Sequence, residues 1–158
     1  MFDRKLILAL IELTEKVGRG LLEFYHQTEL LEVRIKNDST PVTAADRWAH
    51  EILEAGLEKL TPGIPIISEE GKVSVSLEER QQWPGCWLVD PLDGTREFLA
   101  KTDDFSINLA YIENHEPVFG LIYAPVTRLS YFACKGKAAY QRQHEIEKQL
   151  KVLPLDPL

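Results

Sequence analysis

The hydrophobic period of this chain changes once, at Pro62-Gly63, and that change restricts the fold more than any other feature. Before it, apolar residues recur at helical spacing. Leu6, Leu10, Leu13, Val17, Leu21 and Phe24 fall three or four apart over residues 2–25, and Trp48, Ile52, Leu53, Leu57 and Leu60 form a second stripe over 43–60. Gly18 and Gly20 weaken the middle of the first helix, while Thr43 is placed to cap the second, with Asp46 three residues on. Between them, residues 31–36 alternate apolar and charged, as a strand edge or extended connector would, and 37–41 form a turn cluster. After Gly63, short apolar runs at 64–68, 86–89, 105–112, 118–123, 129–133 and 138–142 follow closely, with turns at 114–116 and 135–136. Helices first and a strand meander second predict an α+β fold, two N-terminal helices packed on a mainly antiparallel sheet. The polar stretch 141–151 and the two prolines of 152–158 read as a connector.

A chain of 158 residues makes one compact domain or one part of a larger one. With Lys+Arg 18 against Asp+Glu 25, its formal charge is −7 and no basic run is dense, which argues against nucleic acid as a partner. A small phosphorylated molecule stays open if metal ions reverse the sign at the site. Cys86 and Cys134 match no metal spacing and are too few for a disulfide framework, so a reducing compartment, the cytoplasm, is expected. The apolar run 6–11 is cut short by Glu12 and has no cleavage pattern after it, and no stretch approaches the ~20 apolar residues of a membrane span. Peripheral association with the inner face of the cell membrane remains open.

The chemistry concentrates in Trp87-Leu88-Val89-Asp90-Pro91-Leu92-Asp93-Gly94-Thr95-Arg96-Glu97-Phe98. An apolar strand delivers Asp90 at its end, Pro91 interrupts the ladder, and Asp93 follows on a turn that Gly94 permits. Two carboxylates leaving one strand end suit a hard cation such as Mg²⁺, and N–H groups around Gly94 and Thr95 suit a phosphate oxygen if they open a short helix. The spacing is wrong for a calcium loop, because Leu92, Gly94 and Thr95 stand where oxygen ligands and the glycine belong. Pro91 also stands where aspartyl-nucleophile phosphatases carry their nucleophile, so water is the expected attacker. A capped turn in which the aspartates only bond backbone amides explains an isolated Asp-Gly-Thr equally well. Glu69-Glu70, at the end of the run Ile66-Ile67-Ser68, reads alone as solvated surface, and Asp46 alone as a capping residue. Lys36 lies beside the Asp38 loop, where an exposed lysine is ordinarily a solvated charge.

Together, Pro41-Val42-Thr43-Ala44-Ala45-Asp46, Glu69-Glu70 and Asp90-Pro91-Leu92-Asp93-Gly94-Thr95, in this order, resemble the inositol monophosphatase and fructose bisphosphatase superfamily of metal-dependent, lithium-sensitive phosphatases. Arg96-Glu97-Phe98, the run 104–110 and the run 120–126 look more like the CysQ-type 3'(2'),5'-bisphosphate nucleotidases within it. The resemblance implies hydrolysis of the 3'-phosphate of adenosine 3',5'-bisphosphate to AMP and phosphate, with inositol monophosphatase as the alternative. It implies Glu69, Asp90, the carbonyl of Leu92 and Asp93 as metal ligands, with Asp90 bridging two ions. It also implies Glu69, Leu92, Asp93, Gly94 and Thr95 as contacts to substrate, Asp46 and Thr95 as the pair that activates water, and Glu70 in support behind the ligands.

One departure stands out. The family's further metal-binding Asp, in a Trp-Asp-x-Ala motif, has no counterpart here, and Asp156 in Leu155-Asp156-Pro157 is no match. Residues 1–158 therefore correspond to the N-terminal, metal-binding half of the fold, and its second half is expected to be missing. Mg²⁺ occupancy is then expected to fall from two or more ions in a full-length protein to one or none. An inactive chain that self-associates, as a homodimer, through apolar surface left uncovered is a further alternative.

Overall fold

Asp3 starts the first helix by accepting the Leu6 N–H at 2.8 Å, and α1 runs Arg4–His26. The computed structural model describes residues 2–27, 34–35, 41–42, 44–71 and 75–151. α2 runs Ala44–Leu60 and packs on α1 at Gly20, one of the two glycines that weaken the helix on paper. A Cβ at Gly20 would lie 1.9 Å from Trp48 Cη2, so the bare backbone there is what lets the helices approach. Leu10, Leu21, Leu53 and Leu57 are fully buried along this seam, each worth roughly 1.5–3 kcal/mol relative to exposure.

β1 (Arg34–Ile35) and β2 (Pro41–Val42) pair antiparallel between the helices. The remaining strands form a seven-stranded sheet in chain order. They are β3 (Ile66–Ser68), β4 (Gly85–Asp93), β5 (Ser106–Glu113), β6 (Glu116–Ala124), β7 (Leu129–Cys134), β8 (Ala139–Gln143) and β9 (Ile146–Gln149). Every pairing is antiparallel except β3 with β4, which is parallel. Two short helices, α3 (Leu77–Arg80) and α4 (Thr95–Ala100), lie before and after β4. The architecture is thus α+β, two helices on a mainly antiparallel sheet.

Alternation divides the sheet. Trp87, Val89, Ile107, Leu109, Phe119, Leu121 and Phe132 are buried on the face toward α1 and α2. The opposite face carries Leu88, Ile122 and Tyr131 at 39%, 50% and 39% exposure. Two details differ from the sequence expectation. The polar stretch expected to be a connector contains β9, paired edge-on with β8, and α3 was not anticipated. Leu31, Lys36, residues 37–40 of the expected turn 37–41 with Asp38 among them, the Thr43 cap and the 152–158 connector lie outside the described residues, while Pro41, expected in that turn, opens β2. Among the described residues no helix is long and apolar enough to cross a membrane.

Candidate active site

The parallel pairing of β3 with β4 builds the site. Ser68 is in register with Val89, and the Glu69 N–H donates to the Val89 carbonyl at 3.0 Å, so β3 ends where Glu69 lands beside Asp90, while β4 runs on to Asp93. Neighbouring strands lie about 4.8 Å apart, close enough for the two carboxyl groups to meet. They do: Asp90 and Glu69 share a hydrogen bond. Burial pushes the Asp90 carboxyl up from 3.8 to about 7, the charges of Glu69 and Asp93 push the same way, and the Leu92 N–H, donating to Asp90 Oδ1 at 3.2 Å, opposes them. Asp90 therefore keeps its proton to a higher pH than an ordinary aspartate does.

Past Asp90 the β4–β5 register slips by a bulge at Pro91-Leu92 before Asp93 pairs with Ser106. The bulge turns Asp93 outward, where its Oδ2 accepts from Asn108 Nδ2 at 3.0 Å. Asp93 is therefore within electrostatic reach of Asp90 but is held by Asn108. Among the described residues no three His, Cys, Asp or Glu side chains form a group able to hold a metal ion. The donor set is still all oxygen, Glu69, Asp90, Asp93 and the Leu92 carbonyl, and its crowded carboxylates raise Asp90 in the way a nearby cation would relieve. By chemistry the residues fit a hard divalent ion.

Gly94 follows at φ +87°, a left-handed conformation, and a Cβ there would lie 2.7 Å from the Asp104 carbonyl oxygen, so glycine is required twice over. α4 starts at Thr95 with no side chain capping its first N–H groups. Thr95 Oγ1 lies 3.1 Å from Asp46 Oδ1 and 3.1 Å from the Leu92 carbonyl oxygen, either of which its hydroxyl can serve as donor. Asp46, in the first turn of α2 and only 2% exposed, thus reaches across 49 residues of sequence to the Asp-Gly-Thr turn. Phe98 is fully buried against Tyr25 and Phe105 and seats α4 on the end of α1. The Lys101 ammonium, 4.3 Å over the Tyr25 ring, donates to the Tyr25 carbonyl, and the Tyr25 hydroxyl donates to Asp103 Oδ1 at 2.7 Å.

Glu70 is half-buried in the turn after Glu69. Asn108 was missed from sequence; its signal was a polar residue at the strand period, alternating with buried Ile107 and Leu109. Glu69, Asp90 and Asn108 close one end of a groove of about 700 Å³ that continues over Leu88, Ala110, Ile122 and Tyr131 on the open sheet face.

The family model for the inositol monophosphatase family matches residues 3–156. The chain belongs to that family. Its relatives include the 3'(2'),5'-bisphosphate nucleotidase CysQ of Salmonella typhimurium, 41% identical over 146 residues, covering 92% of this chain and 58% of the relative. The CysQ of Aggregatibacter actinomycetemcomitans is 42% identical over 142 residues, 90% of this chain and 51% of the relative. Among solved structures, the extragenic suppressor protein suhB of Bartonella henselae superimposes with a TM-score of 0.77 at 28% identity, covering 85% of this chain and 51% of that one. The CysQ structure from Bacteroides thetaiotaomicron gives 0.71 at 38% identity, over 85% and 48%. This inositol monophosphatase family chain therefore spans little more than half the length of its relatives.

Proposed function

We propose that residues 1–158 carry the metal-binding part of a Mg²⁺-dependent phosphatase that removes the 3'-phosphate of adenosine 3',5'-bisphosphate, giving AMP and phosphate. The observation that carries this reading is the Thr95–Asp46 contact of 3.1 Å beside the Glu69–Asp90 pair, a proton path next to a cation-seeking cluster. Substrate choice is supported by the CysQ relatives at about 40% identity and by Arg96-Glu97-Phe98 after the Asp-Gly-Thr turn.

Glu69, Asp90, Asp93 and the Leu92 carbonyl would hold the metal. When bound, the ion supplies positive charge that offsets the cluster and polarises the phosphoryl oxygens. The residues of the chain do the rest. Thr95 passes its hydroxyl proton to the buried Asp46 carboxylate and takes one from water, so the water oxygen attacks phosphorus as the bond to the 3'-oxygen breaks; the leaving 3'-oxygen takes a proton from solvent and Asp46 returns its own to solvent. The N–H groups that open α4 receive a phosphate oxygen, and Gly94 keeps them unshielded. This proton path needs a dry, fixed pair, which the burial of Asp46 supports. The reaction would take place in the cytoplasm, where the free thiols of Cys86 and Cys134 persist.

Phosphate release from adenosine 3',5'-bisphosphate and from inositol 1-phosphate, each with Mg²⁺, decides the assignment. Faster turnover of the nucleotide is expected, and faster turnover of the inositol ester would transfer the assignment to inositol monophosphatase.

A second reading is favoured by the open sheet face: this chain associates with itself through Leu88, Ile122 and Tyr131 and forms a homodimer without turnover. Sedimentation over a range of concentrations tests it.

A further inference from the structure

We infer that His50 is a positioning residue for the candidate site, and that through Asp46 and His50 one face of α2 holds both acid-bearing turns. The inference rests on the reading of Glu69 as a metal ligand. Asp46 and His50 are four residues apart, so they stand on the same face of α2 about 6 Å apart along its axis. Asp46 holds the Asp93–Thr95 turn through Thr95. His50 does the equivalent for the Glu69-Glu70 turn. Its Nδ1 lies 2.9 Å from Ser68 Oγ, the last residue of β3 and 6% exposed.

The same imidazole also meets the far end of that turn. The Gly71 N–H donates to the Ser68 carbonyl at 3.1 Å and closes the turn, and a Cβ at Gly71 would sit 3.3 Å from His50 Cε1. On the solvent side Glu54 Oε2 lies 3.8 Å from His50 Nε2, one helical turn on. That carboxylate favours the tautomer with its proton on Nε2, which leaves Nδ1 to accept from the Ser68 hydroxyl. β3 has only three residues and a single strand neighbour, so its ladder alone fixes its end poorly; the contact to α2 supplies the missing constraint. The exposed Glu69 is thereby aimed at Asp90 from the turn that His50 holds.

Two variants separate the nitrogen from the ring. His50→Phe keeps the volume and removes the hydrogen bond, whereas His50→Asn keeps a polar atom near the place of Nδ1. Amide exchange is the first measurement. In His50→Phe and in Ser68→Ala the Glu69 and Gly71 amides are expected to exchange faster while the Phe98 amide of α4 does not change, and His50→Asn is expected to restore protection. Unchanged exchange at Glu69 and Gly71 would refute the positioning role. The second measurement is titration of the full chain with Mn²⁺ alone. His50→Phe and Ser68→Ala are each expected to bind it roughly three- to tenfold more weakly, less than the ten- to hundredfold typical of direct partners of metal ligands, and the double variant no more weakly than either. His50→Phe binding as tightly as the parent, while Asp90→Asn binds none, defeats the inference and leaves the metal reading standing. A parent chain that binds no Mn²⁺ defeats the metal reading itself, and the exchange result then decides the brace alone.

Discussion

Asp90 is the residue on which the electrostatics turn. Its carboxyl is raised from 3.8 to about 7 by burial first and by Glu69 and Asp93 after it. Below about pH 4 the group is neutral folded or unfolded and costs nothing. Between pH 4 and 7 the native state keeps a proton that the unfolded chain has released, so the native state loses stability from this group as pH rises through that window, the opposite sign to a salt-bridged carboxylate. Glu147 and Glu116, lowered by hydrogen bonds to Arg4 and Lys135, pull the other way, so the effect must be isolated by comparison. Metal-free Asp90→Asn is expected to melt above the parent at pH 8, with the gap closing toward pH 5. Mg²⁺ at pH 8 is expected to stabilise the parent but not the variant. Parallel melting curves at both pH values would show that the carboxylates do not crowd as described. The Asp-Gly-Thr turn and the acids after two apolar runs were legible as residue types, but Glu69 alone read as solvated surface and was singled out only by the family resemblance. Asn108, His50 and Ser68 were not, because a single polar residue on a strand or helix has many ordinary explanations.

Among the elements, β9 shows where periodicity fails. Ile-Glu-Lys-Gln offers no apolar face, so the segment reads as a connector, yet it pairs with β8 and its Glu147 is clamped from both sides. Arg4 at the start of α1 binds Glu147 bidentately at 2.7 and 2.6 Å, and Arg142 adds a contact of 3.1 Å. Arg4 is 57% exposed, which limits the gain to about 0.5–1 kcal/mol. Glu147→Gln is expected to lower stability by about that amount in chemical denaturation and to speed exchange of the β8–β9 amides, with β4 and β5 unaffected. If β9 protection survives the substitution, edge pairing alone holds the strand. The helices were legible because burial enforces their 3.6-residue stripe; the parallel β3–β4 pair was not, since two short apolar runs carry no mark of relative direction.

At the scale of the whole molecule, helices cover one face of the sheet, and among the described residues none covers the other. Small side chains at Ala110, Gly120, Ala133 and Ala139 floor the groove of about 700 Å³ on that face, and Leu88, Ile122 and Tyr131 rise from it. If self-association uses this face, the parent chain sediments faster as concentration rises, and Ile122→Lys, at a position already 50% exposed, abolishes the dependence without lowering the melting temperature. A concentration-independent monomer would remove the homodimer reading. The sequence by itself determined the α+β layering, the acidic strand ends and the family, because periodicity and residue chemistry act over short stretches of chain. Only the tertiary structure decided that Asp93 is held by Asn108, and by what geometry Glu69 meets Asp90 and Asp46 reaches Thr95, because each depends on strand direction, register and a bulge, which long-range packing sets.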